Sequence, residues 1–187
     1  MIETSAGTNK VIDIPNNNCS NKIKPIIYNK HFNGNQRFIL RNQFSQNRKN
    51  YFTIFLLNNQ TKCLLINDDN ICEIGTESNG FDNQNSHGND LLFWRTKFII
   101  ESAPYGFLIR MANSTLNKYL VPNDFNNLNN STLKISTLQD PYNNRLAQWK
   151  FIKTDSLGLN VHNKVALNGT NIKHFNLRVP LSMDYII

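Results

Sequence analysis

Asp13 stands between Ile12 and Ile14 in the stretch GTNKVIDIP (7–15). Aspartate is depleted from strand interiors, because it packs poorly there and its side chain competes for nearby backbone donors. A carboxylate so placed needs either a buried partner or a ligand that donates hydrogen bonds to it. Other chemistry-bearing residues are sparse. The four histidines, at 31, 87, 162 and 174, show no metal-ligand spacing, and no Cys-x-x-Cys occurs. There is no Gly-rich phosphate loop and no Gly-x-Ser-x-Gly. Asp13 with Glu3 or Asp140 lacks the spacing that would mark a glycosidase pair. The chain therefore reads as a non-enzyme without a cofactor.

Three cysteines remain, at 19, 63 and 72. Cys63 and Cys72 flank the turn NDDN (67–70), so they could face one another on paired strands. Such a bridge would close only in an oxidising compartment, and two buried reduced thiols are the alternative. Cys19 is left over in an Asn-rich loop and reads as a free thiol.

The elements that position these groups must be short strands. The chain has 187 residues, 40% of them hydrophobic, with 12 Phe, 6 Tyr and 2 Trp. That suffices for one domain, or one domain with an extension. Asn is in excess: 33 residues, as many as all Asp, Glu, Lys and Arg together. Asn favours turns and local side-chain to backbone bonds, although an AT-rich coding sequence would also enrich it. Short runs with alternating apolar residues, such as YFTIFLL (51–57), GFLIRM (106–111) and LKIST (133–137), alternate with Asn, Asp and Gly clusters. No amphipathic helix of any length is legible.

The net charge is +7 and the pI about 9.4, but the basic residues form no long run. The densest group, Arg37, Arg41, Arg48 and Lys49, reads as a solvated face. It would attract anionic glycans, membranes or nucleic acid only non-specifically. The start MIETSAGTNK has no basic residues followed by an apolar run, so no signal peptide is expected in it. Secretion or surface display would follow if one had been removed, and a cytoplasmic location otherwise. FTIFLL (52–57) is far too short to span a bilayer, so no transmembrane segment is expected.

The chain repeats itself. NKVIDIPN (9–16), TKCLLIND (61–68) and NKYLVPND (117–124) align without gaps on Lys10, Lys62 and Lys118, 52 and 56 residues apart. A second marker follows each copy: Phe38 in NQRFIL, Trp94 in LLFWRTKF and Trp149 in LAQWKF, 56 and 55 apart. Two markers on one period predict an all-β chain of three repeats of about 55 residues, bounded near 1–43, 44–100 and 101–154. Three four-strand units closing on a pseudo-threefold axis make a β-trefoil, and closure removes exposed sheet edges. A sandwich offers no reason for the period, and a propeller needs more blades. Both tryptophan markers are expected in the core. Residues 155–187 form a C-terminal extension: a closing strand, or, from HNKVALNGT (162–170), a partial further repeat.

The stretch SAGTNKVIDIP…IIYNKHFNGNQRFIL (5–40) resembles one repeat of a ricin-type (ricin B chain-like) β-trefoil lectin. The shared features are the small-residue turn, the apolar–Asp–apolar triplet, an aromatic, and Asn-Gln-x-aromatic. The resemblance is diffuse over 51–153 and absent over 155–187. It implies a carbohydrate-binding module with galactose or N-acetylgalactosamine preference. The site residues it implies are Asp13, accepting from sugar hydroxyls, Tyr28 as a flat floor, Asn35 at the same hydroxyls and Gln36 bracing the carboxylate. The chemistry suits these types: a carboxylate accepts two hydroxyl protons, an amide both donates and accepts, and a sugar's C–H face lies on an aromatic ring. His31, Phe32 and Asn33 would form the nearby loop. In the other units the Asp position is Leu65 and Val121, and the Asn-Gln pair is Leu91-Leu92 and Leu146-Ala147, so one working site is expected. Cys63 falls where such repeats often place half of a disulfide. The partners implied are glycans or glycoproteins, and a protein partner if the chain serves in a coat or toxin complex. A trefoil that has lost sugar binding, and a basic trefoil that binds heparin-like or nucleic-acid polyanions, are the competing readings.

Overall fold

A computed structural model describes residues 1–6, 9–46, 49–77, 91–112, 116–153 and 184–186. It is an all-β trefoil. Twelve strands fall into three sets of four: β1 (Ile2–Thr4), β2 (Lys10–Asp13), β3 (Ile26–Asn29) and β4 (Phe38–Gln46); β5 (Lys49–Leu56), β6 (Asn59–Ile66), β7 (Cys72–Thr76) and β8 (Phe98–Ala103); β9 (Gly106–Met111), β10 (Lys118–Pro122), β11 (Leu133–Thr137) and β12 (Trp149–Phe151). The first and fourth strand of each set form the wall, hydrogen-bonded in the order β4-β5-β8-β9-β12-β1. The middle strands pair as hairpins β2/β3, β6/β7 and β10/β11. The turns between sets come three residues later than the boundaries expected at 43 and 100, which fall inside β4 and β8.

The core is built in rings of three, one residue from each set. Equivalent register positions hold Ile2, Ile54 and Ile109 on the wall, and three cross-strand pairs on the hairpins: Ile12 with Ile27, Leu64 with Ile74, Leu120 with Ile135. Phe38, Phe98 and Trp149 open the fourth strand of each set, and all of these belong to one buried cluster. β-branched and aromatic residues at period two suit such half-buried strands. Their burial is the main stabilising term.

Trp94 is not the second marker. It closes a single helical turn, Leu91–Trp94, and stands half-buried in an aromatic group with Phe44, Tyr51 and Phe93. The core ring at that position is Phe98, so the true spacings are 60 and 51. Trp149 is buried as expected.

The recurring lysines are inter-repeat clasps. Lys10 Nζ bonds Asn129 Oδ1 in the third set at 3.0 Å, Lys62 bonds Asn21 Oδ1 in the first at 2.7 Å, and Lys118 bonds Asn70 Oδ1 in the second at 2.9 Å. Each ammonium thus reaches the hairpin loop of a neighbouring set.

A thirteenth strand, β13 (Asp184–Ile186), runs antiparallel to β4, with Tyr185 opposite Leu40. The stretch HNKVALNGT (162–170) lies outside the described residues.

Candidate functional site

The site lies where β2 ends. Ile12 points into the core, so Asp13 faces the other way, by the alternation of a strand. Its backbone pairs with Ile26 of β3. The chain then enters a 3-10 turn, Pro15–Asn17, with proline at its first position. A second 3-10 turn, Gly34–Gln36, packs against it, joined by Ile14 N–H donating to Asn35 O at 2.9 Å. These two turns carry Asn35 and Gln36 up to the carboxylate.

Asp13 is 3% exposed and accepts three side-chain hydrogen bonds. Asn35 Nδ2 donates to Oδ1 at 3.0 Å, and Gln36 Nε2 donates to Oδ2 at 2.7 Å. His31 Nε2 lies 3.0 Å from Oδ2. The backbone N–H of Asn33 donates to His31 Nδ1 at 3.3 Å, so Nδ1 holds the lone pair and Nε2 carries the proton towards Asp13. Gln36 is itself locked: Nε2 also donates to Asn29 O at 2.8 Å, and Oε1 accepts from His31 N–H at 2.9 Å. With two donors on Oδ2 and one on Oδ1, Oδ1 keeps a lone pair for a further donor.

Asp13 opens onto a groove of about 500 Å³ lined by Pro15, Asn16, Asn17, Ile26, Tyr28, His31, Asn33, Asn35 and Asn130. Tyr28, on β3, is 38% exposed and meets the His31 ring edge-on, with centroids 6.3 Å apart. Asp13, Tyr28 and Asn35 thus share the groove, and Gln36 is fully buried behind it. The contact of His31 with the carboxylate was not legible in the sequence, although its place just after β3 was a signal. Asn130 comes from the third set and had no signal at all.

The corresponding places in the other sets differ in kind. In the second set Leu65 replaces Asp13 and Gly75 stands at the position of Tyr28, with Leu65 packed 2.8 Å from where a Cβ on Gly75 would sit. The Asn-Gln pair corresponds to Arg95 and Thr96, not to Leu91 and Leu92, once Phe98 is the landmark. Arg95 is engaged by Asp68. In the third set Val121 lies in a buried apolar cluster with Ala103, Leu108, Tyr119 and Ala147, and Ser136 stands at the position of Tyr28.

Cys63 and Cys72 do not bridge. Both are buried free thiols, and Cys19 is also free. Cys63 pairs with Gly75 and Cys72 with Ile66. Paired residues point to one face of a ladder, and Cys63 and Ile66 are an odd number of residues apart, so the two sulfurs lie on opposite faces. Burial pushes the Cys63 thiol up to about 12, helped by the Glu77 carboxylate. Burial also pushes Cys72 upward.

No family model and no curated protein matches the chain. Solved structures do share its fold. The designed three-fold symmetric protein ThreeFoil superposes with a TM-score of 0.59 at 14% identity, over 79% of this chain and 93% of that one. The C-half of an earthworm R-type lectin, solved in complex with GalNAc, gives 0.54 at 10% identity, over 79% and 92%. A mosquitocidal holotoxin gives 0.56 at 22% identity, over 79% of this chain but only 15% of the toxin.

Proposed function

We propose that the chain is a carbohydrate-binding, lectin-like module of galactose or N-acetylgalactosamine type, with its working site in the first repeat at Asp13, Tyr28, Asn35 and Gln36. One observation carries this reading: a buried carboxylate, held by three side-chain donors and with hydrogen-bond capacity left on Oδ1, lines the same groove as an exposed tyrosine. A sugar hydroxyl supplies the missing donor, and the ring's C–H face lies on Tyr28. The earthworm lectin, of the same fold, was solved with GalNAc, which supports the sugar class. Among the described residues the lining offers no nucleophile paired with a base, which favours binding over turnover.

The test is a glycan array at moderate and high salt with wild type, Asp13→Ala and Tyr28→Ala. Binding to terminal galactose or N-acetylgalactosamine should persist at high salt, vanish in Asp13→Ala and fall at least tenfold, roughly one to two hydrogen bonds' worth, in Tyr28→Ala. Tyr28 is exposed, so its variant tests binding without threatening the fold. Sulfated ligands alone, released by salt, would overturn the reading in favour of a polyanion-binding surface.

A second reading has its own observation. Asp13 ties β2 to the Gly34–Gln36 turn and to the loop after β3, as a structural strut would. If Asp13→Ala unfolds the chain and the wild type binds no glycan, the trefoil is an interaction scaffold.

A further inference from the structure

The groove is larger than its carboxylate end needs. It is an open depression of about 500 Å³ whose lining runs past Asp13 and Tyr28 to a residue of another repeat. Beyond Asp13 and Tyr28 the lining holds Pro15, Ile26 and His31 and five asparagines drawn from two repeats. Asn16 and Asn17 lie on the turn after β2, at the Asn35 end. Asn130 lies beyond the outer edge of β3: its N–H donates to Ile27 O at 2.9 Å, and Ile27 N–H donates to Ser131 O at 2.8 Å. The third repeat's loop is therefore stitched to the strand that carries Tyr28.

These amides are exposed, and most of them are available. Asn16, Asn17 and Asn130 have left-handed backbone, with φ of 54°, 54° and 61°. Asn17 is held by Asn58 of the second repeat, whose Nδ2 donates to its Oδ1 at 2.9 Å. Among the described residues, the side chains of Asn16, Asn33 and Asn130 have no protein hydrogen-bond partner. An amide both donates and accepts, which is what successive hydroxyls require. Among the described residues no lysine or arginine lines the groove, and Asp13 is its sole carboxylate.

We propose that the groove takes a neutral oligosaccharide of at least two residues, one seated on Asp13 and Tyr28 and its neighbour held by Asn130 from the third repeat. This rests on the glycan-binding reading above and names the ligand's length and charge. The third repeat has no carboxylate of its own at the matching position, yet it completes the site of the first.

Titration calorimetry tests it, with galactose, N-acetylgalactosamine, a panel of neutral galactose-containing di- and trisaccharides, and their sialylated forms. Asn130→Gly removes the amide while keeping the left-handed backbone at ease. The best neutral oligosaccharide should bind wild type about fivefold tighter than the monosaccharide, one hydrogen bond's worth. Asn130→Gly should erase that gain and leave monosaccharide affinity unchanged, and sialylation should add nothing. The proposal is overturned if no oligosaccharide exceeds the monosaccharide, or if Asn130→Gly weakens both alike. In either case monosaccharide binding lost in Asp13→Ala would still stand for the function. No binding by any member of the panel would sink both.

Discussion

At the scale of single residues, Asp13 shows what a sequence reveals and what it hides. Its cost in an apolar strand was readable, and so was Gln36 as its brace. The third donor was not: His31 was expected only in the nearby loop, and its ring is held at Asp13 by bonds with Gln36 and Asn33 that form only in the fold, beside a left-handed Phe32 with φ of 63°. No local pattern announces that turn. The cysteines teach the opposite lesson. Pairing of β6 with β7 was readable from the NDDN turn, but the facing of Cys63 depends on parity across the ladder, and one residue of register reverses it. The two thiols give a pH prediction. Both are neutral in the fold and ionise only well above their ordinary value near 9. The unfolded chain releases those protons first, so stability is intact below about pH 9 and falls as pH rises towards the folded values. Buried Lys97, pushed downward chiefly by burial and partly rescued by Glu77, contributes with the opposite sign. Comparing wild type with Cys63→Ala/Cys72→Ala removes that background. Urea unfolding at pH 7.5 and 10 should show the larger alkaline loss in wild type. In the native state a thiol reagent should modify Cys19 alone.

At the scale of elements, the lysines that made the repeat visible have a mechanical role that the repeat did not disclose. They join neighbouring sets through asparagines, so part of the Asn excess is structural and not a matter of coding. Asn70 carries two duties, accepting from Lys118 and occupying φ of 62°. Asn70→Ala keeps a Cβ in the left-handed region and should destabilise by about 1–2 kcal/mol. Asn70→Gly loses the clasp alone and should cost less, about 0.5–1 kcal/mol. Denaturant midpoints at fixed m-value separate the two. The displaced tryptophan marker also belongs here. The connection before β8 is residues 77–97, whereas those before β4 and β12 are 30–37 and 138–148. The larger ring of Trp94 fell near the expected spacing by coincidence of that longer connection, and Phe98 took the core position.

At the scale of the molecule, the trefoil was legible because its core is threefold. Rings of three apolar residues must recur at a common spacing for the wall to close, and that recurrence survives wide divergence elsewhere. The site was legible only as a list of four side chains in one repeat. Its extent was not, since Asn130 reaches it through tertiary contacts 117 positions from Asp13. The symmetry of the interior and the asymmetry of the rim have separate causes. Core positions answer to packing, where a swap of similar volume is tolerated and a charge is not. Rim positions are not held to that rule, and there Leu65 and Val121 stand where the first repeat has Asp13.

That asymmetry sets how the protein would act between surfaces. A molecule with three equal grips would bridge one cell to the next. Among the described residues one carboxylate stands at such a position, so under the proposed function a single copy would coat glycan-bearing red cells without clumping them. Mixed with such cells, it should leave them dispersed and should block clumping by a multivalent lectin of the same sugar preference. Fusing two copies through a flexible linker should turn the coat into a glue.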